Sequence, residues 1–183
     1  MIESFVLRIR DYVASQPRSI PFPPVSERII EEAEAGLKFP LPPLLKSVYL
    51  QVGNGGFGPG RGGSIIGLEG GYASDFGTLL RTYGQCMNDH ALEGRLWKAS
   101  LLPFCEWGCN IFSCVDCQDS HYPIFLFEEG DVFPRNYSLQ DFFKLWIEGV
   151  DILSYEGLAS ETVEVTNPFS GHKIPVTKRK AND

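Results

Sequence analysis

Seven of the eleven residues from Gly53 to Gly63 are glycine. A run this rich in glycine cannot extend a helix, and it offers no side chains for a strand to pack. It therefore divides the chain into two halves of different pattern. Before it, apolar residues recur at helical spacing only. After it, short apolar runs of strand length dominate, and a helical pattern returns near the end. Helices, then strands, then a helix is not the regular βα alternation of a parallel doubly wound fold. The pattern predicts an α+β fold: a single domain with a largely antiparallel twisted sheet, flanked by N-terminal helices and a C-terminal helix. A chain of 183 residues suits one such domain.

The punctuation is local and readable. Phe5, Ile9 and Val13 place a helix over 2–14, and a proline-rich connector follows from Pro17 to Pro24. Ser26 is a natural N-cap, with Val25 and Ile30 at staple spacing. Phe39 to Pro43 stops that helix, and Pro43 can open the next from its first turn. Leu44, Leu45, Val48, Tyr49 and Val52 then form one stripe. Strands are expected over 64–68, 101–107, 110–116 and 122–127, with a short edge at 131–134 and a helix over 75–83. Ser138-Leu139-Gln140-Asp141 is a capping-box pattern that starts a helix carrying Phe142, Phe143 and Trp146, with Gly149 as its stop. Residues 1–25 thus read as helix and connector, 26–160 as the domain, and 161–183 as a loose basic tail.

The chain carries 16 Lys and Arg against 23 Asp and Glu, a net charge of −7. Residues 171–183 hold four bases (Lys173, Lys178, Arg179, Lys180) and one acid, so the rest of the chain is more acidic still. An acidic body repels nucleic acid and anionic membrane and attracts basic proteins. The longest uncharged apolar run, Tyr122 to Phe127, is far short of a membrane span, and the N-terminus lacks the pattern of a signal peptide. A cytoplasmic protein is expected. Five cysteines without a secretion signal suit free thiols in a reducing compartment.

Motifs for chemistry are present in letters but not in context. Gly53-Asn54-Gly55-Gly56-Phe57-Gly58 spells the dinucleotide-binding pattern, which requires a strand before it and a helix N-terminus after it. Here a helix precedes and more glycine follows, so a structural turn is expected and no cofactor. Cys105, Cys109, Cys114 and Cys117 supply four zinc-type ligands, but too little chain separates the two pairs for a zinc ribbon. Buried apolar thiols are the stronger reading, and no metal is expected. Cys114 and Cys117 also lack the helix N-terminus that would make a redox pair. His121, four residues after Cys117, could serve as a base, but no third orienting group is spaced for it. No catalytic constellation emerges, and no enzymatic activity is expected.

The order of short motifs resembles the SUKH superfamily, which contains the Smi–Knr regulators of fungal cell-wall synthesis and many bacterial immunity proteins. An acidic helix leads to Leu41-Pro42, then to a short helix with Lys46 and Tyr49, then to Asn54-Gly55-Gly56. Gly67-Leu68, Trp107-Gly108, a strand ending at Asp116, and the Ser138-capped aromatic helix follow in turn. The likeness spans about residues 26–150. It implies an α+β fold without catalysis and, for bacterial members, binding and neutralisation of a toxin, often a nuclease. Nuclease domains are commonly basic because they hold phosphate, and an acidic inhibitor speeds encounter with them. The expected partner is therefore a protein, a basic toxin domain, rather than nucleic acid or membrane. A regulatory scaffold of the Smi–Knr kind is the alternative. Charge and aromatic character single out Trp107, Asp116, Glu128, Glu129 and Asp131 as the expected partner contacts.

Overall fold

A computed structural model of the chain describes residues 2–16, 21–59, 62–92, 97–128, 130–154, 160–166 and 173–179. Three helices come first: α1 (Ile2–Ser15), α2 (Glu27–Leu37) and α3 (Pro43–Gln51). After the glycine segment come β1 (Ser64–Ile65), α4 (Leu79–Leu92), β2 (Leu101–Gly108), β3 (Ile111–Asp116), β4 (Pro123–Glu128) and β5 (Asp131–Ser138). The chain continues with α5 (Leu139–Ile147), β6 (Ser160–Thr166) and β7 (Lys173–Arg179). Strands β1 to β5 form one antiparallel meander in chain order, and β6 and β7 pair separately. The expected α+β architecture is observed.

Every residue of β2 from Leu101 to Trp107 is buried. Successive strand residues point to opposite faces, so a run without alternation requires cover on both. Helix α4 lies against β2, and α5 lies against β4 and β5. The α5 side is aromatic: Phe142 meets Phe104 edge-on with ring centroids 4.9 Å apart. Trp146 joins Tyr12 of α1 and Phe57 of the glycine segment. Val6, Ile9 and Val13 of α1 are buried in the same core, and fully burying such a side chain stabilises by about 1.5–3 kcal/mol, which fixes α1 there.

Local signals set the element ends. Ser138 Oγ accepts from the Asp141 N–H, and the Asp141 carboxylate accepts from the Ser138 N–H, so the capping box is complete. Gly149 closes α5 with φ of 77°, and its N–H donates to the Trp146 carbonyl. Lys38 ends α2 in the left-handed region at φ 66°.

The structure departs from expectation in four places. The strand expected over 64–68 keeps only two residues, because Ile66 bonds to Phe104 and Gly67 turns to bond Tyr72. The helix expected over 75–83 starts at Leu79, after a turn in which Ser74 and Gly77 exchange both backbone bonds. The short edge at 131–134 is an eight-residue strand, and the stretch expected as a loose tail contains β6 and β7.

Candidate partner-binding site

In an antiparallel meander, alternate turns gather at one end of the sheet. The β2–β3 turn at Cys109 and Asn110 and the β4–β5 turn at Gly130 share an end, because Phe112 pairs with Phe127 and Glu128 with Asp131. Three of the expected contacts lie towards this end: Trp107, Glu128 and Asp131. Glu129 lies outside the described residues. Asp116 sits at the opposite end, paired with Leu101.

Two of the five are buried. Trp107 is 8% exposed, its Nε1 donates to Ser113 Oγ at 2.9 Å, and Gly63 presses on its ring. A Cβ at Gly63 would come within 2.6 Å of that ring, so the last glycine of the run is what lets the segment close over the sheet. Asp116 is 2% exposed. Its carboxylate accepts from Lys98 Nζ, from Ser100 Oγ at 2.7 Å and from the Gln118 N–H at 3.2 Å. Neither residue offers a partner much surface. Each fastens a loop to the sheet instead: the Gly63 turn rests on the Trp107 ring, and Lys98 and Ser100 return to the Asp116 carboxylate.

Burial pushes the Asp116 carboxyl up, but the bonds from Lys98, Ser100 and Gln118 outweigh it and hold it below the ordinary range. A depressed folded-state value contributes stability that is complete above the unfolded value, near about 3.9, and lost as pH falls through the folded value. Asp116→Asn is therefore expected to cost about 1–3 kcal/mol at pH 7. The difference from the wild type should shrink below about pH 4. Urea midpoints at both pH values check this; a gap unchanged between them would show that the charge plays no part.

The surface of the tip is of mixed chemistry. Asp131, Val132, Phe133 and Pro134 of β5 are exposed, and Glu128 is half-buried. Val132 and Phe133 are adjacent, so they lie on opposite faces of a ribbon that is open on both sides. The sequence reading caught the acids but missed these two apolar residues. Their signal was available in part: an apolar pair beside Pro134 suits an edge strand, where proline loses no ladder bond.

Cys114 lies within electrostatic reach of Cys86, Cys105 and Cys117, but Cys109 does not join them. Cys86, Cys105, Cys114 and Cys117 are buried, whereas Cys109 is exposed in the β2–β3 turn. Burial pushes all four buried thiols up, Cys86 and Cys117 to about 12, which is the reverse of a nucleophile or ligand. Among the described residues no group of three or more His, Cys, Asp and Glu is placed to hold a metal ion. His121 is exposed and lies 3.4 Å from Asp119.

The motif letters of the first half form one structural device. Asn54, 3% exposed, reaches across to the turn that follows β1. Its Oδ1 accepts from the Leu68 N–H at 2.7 Å, and its Nδ2 donates to the Glu69 carbonyl at 3.1 Å. Gly55, at φ 80°, is packed against the backbone of Ile65 and Gly67, where a Cβ would lie 2.5 Å from the Ile65 carbonyl. Upstream, Glu34 accepts from the Leu41 N–H at 3.0 Å and lies 3.6 Å from Lys46, so the Leu-Pro break is clamped between α2 and α3. Tyr49 Oη donates to the Ile66 carbonyl at 2.6 Å. The family model described as SMI1 / KNR4 family (SUKH-1) matches residues 24–145, the stretch that these contacts organise. The chain belongs to the SMI1/KNR4 (SUKH-1) family. No curated protein matches it. In this SUKH-1 chain the match begins just before α2 and ends within α5, so α1 and the β6–β7 hairpin lie outside the matched segment. No described helix is long and apolar enough to cross a membrane. The dinucleotide-like letters at Gly53 to Gly58 follow α3 and lead into β1, as a turn rather than a phosphate cradle.

Proposed function

We propose that this SUKH-1 chain is a non-enzymatic immunity protein of the cytoplasm that binds a toxin domain and occludes it. Family membership carries this reading. The net charge of −7 supports a basic partner, with long-range attraction speeding the encounter. The β4–β5 tip is the surface best suited to the contact. It offers Val132 and Phe133 as apolar anchors, with Glu128 and Asp131 beside them and Glu129 between these two in sequence. Each face of the tip thus pairs one exposed apolar residue with nearby acids, and such mixed chemistry suits a basic protein partner. Trp107 and Asp116, the other two expected contacts, are buried and offer a partner little surface.

The test uses the full chain, tagged, as bait in lysate of its source cells at moderate salt. The expected result is retention of one toxin domain whose activity falls when bound. Retention of several unrelated cellular proteins, with no toxin among them, would instead favour a regulatory scaffold of the Smi–Knr kind.

A further inference from the structure

The letters P-x-P-P occur twice in the chain, at Pro21 to Pro24 and at Pro40 to Pro43. In the second run Leu41 and Pro42 are buried and Pro43 opens α3. In the first, Pro21, Phe22, Pro23 and Pro24 are all exposed and belong to no helix or strand. The same letters are thus used up in the fold at one place and presented to solvent at the other.

Elementary chemistry shapes the first run. Each proline ring holds φ at about −65°, and Phe22 and Pro23, each followed by proline, are kept out of the helical region. Such a stretch favours polyproline II, which turns once in three residues and so has three ridges. Phe22 and Val25 share one ridge, Pro21 and Pro24 share the second, and Pro23 stands on the third. The first ridge is the anchored one. The Phe22 N–H donates to the Gly55 carbonyl at 3.2 Å, and the Phe22 carbonyl accepts from the Asn54 N–H at 2.9 Å. The Val25 N–H donates to the Tyr49 carbonyl at 3.1 Å, and its side chain packs on the core. The Phe22 ring meets Tyr72 edge-on with centroids 6.5 Å apart. The two ridges left outward are made of proline alone, and their carbonyls accept no backbone bond among the described residues.

We propose that these two proline ridges are a docking site for a protein domain that reads polyproline II, of the SH3 type, through a groove lined with aromatic side chains. Shape and chemistry select that class. Proline rings give aromatic rings an apolar surface to pack between, and the outward carbonyls give acceptors to a Trp N–H or Tyr O–H in the groove. Pro21 and Pro24 stand at the P-x-x-P spacing that such grooves take. The anchors hold the ridges in shape before a partner arrives, so docking loses less freedom than it would with a loose peptide. The family match begins at residue 24, so Pro21 to Pro23 precede the matched segment.

The test titrates the full chain into a set of SH3 domains and reads the fluorescence of their groove Trp. Saturable binding to at least one domain is expected, and P21A/P24A should weaken it by about tenfold or more. P40A changes an exposed proline of the other run and should stay within about twofold of the wild type. Circular dichroism that matches the wild type shows that each variant is folded. Amide shifts in the labelled wild-type chain locate the contact without any substitution: Phe22, Val25 and Ser26 should move, and Val132 and Phe133 should not. No saturable binding across the set overturns the proposal. So does binding that survives P21A/P24A, or shifts centred away from residues 21–26. No toxin enters the assay, so its outcome is independent of whether the immunity reading holds.

Discussion

Asn54→Ala is expected to lower the folding free energy by about 2–4 kcal/mol, and Gly67→Ala by at least as much. The amide of Asn54 is buried and serves Leu68 and Glu69 at once. Removing it leaves the Leu68 N–H and the Glu69 carbonyl without that partner in a segment where Leu68 is 0% exposed. Each unsatisfied buried group costs about 1–3 kcal/mol, more than the net worth of a made bond. Gly67 stands on the other side of the same contact. A Cβ there would run into the Asn54 carbonyl and the Tyr72 N–H, which are backbone groups and bonded to each other. Neither can move without opening the turn. Thermal or urea midpoints on the full chain check both variants. A loss below about 1 kcal/mol for Asn54→Ala would mean that water replaces the amide, and the motif would need another explanation.

That contact also shows which parts of the fold were legible. The capping box at Ser138 and Asp141 involves neighbours in sequence, so its letters were enough to place the start of α5. The α2–α3 break was legible for the same reason. The glycine segment was readable as a turn, but its targets were not: Gly63 is needed because of Trp107, and Gly55 because of Ile65 and Gly67. The start of α4 was missed because long-range groups finish the preceding turn. Ser74 Oγ lies 2.7 Å from Thr82 Oγ1, and the Asp75 N–H donates to Glu106 at 3.1 Å. Glu106 itself is buried, which pushes its carboxyl up, and no periodicity in β2 would have suggested an acid facing inward.

The candidate site divides along the same line. Acids at a turn are a composition signal, so Glu128 and Asp131 could be picked out directly. Whether an acid at a strand end meets solvent is a tertiary fact. Asp116 is buried because Lys98 and Ser100 come back over it from before β2. Trp107 is buried because the glycine segment folds onto it. The cysteine spacing invited a metal reading because spacing does not tell that the thiols of β2 and β3 are core residues of a sheet covered on both sides.

Neutralising the tip should slow association by about tenfold at low salt while changing the dissociation rate little. The variant is E128Q/E129Q/D131N, measured against the toxin domain recovered with the wild-type chain. Long-range attraction acts on encounter, before apolar contacts form, so its loss is read in the on-rate. Val132 and Phe133 are untouched and should keep the bound complex together. Added salt screens both proteins, so wild type and variant should converge towards about 1 M, where the Debye length is about 3 Å. Three charges removed anywhere would also weaken a net attraction, so position must be separated from sum. Glu3, Glu31 and Glu148 are exposed and lie on α1, on α2 and just past α5. Neutralising these three changes the net charge equally and should cost less than about threefold if attraction is focused at the tip. Equal slowing by both sets would assign the attraction to the whole acidic body, and the tip would lose its claim to the contact. A normal on-rate with faster dissociation in the tip variant would place the acids within the bound interface rather than in its approach.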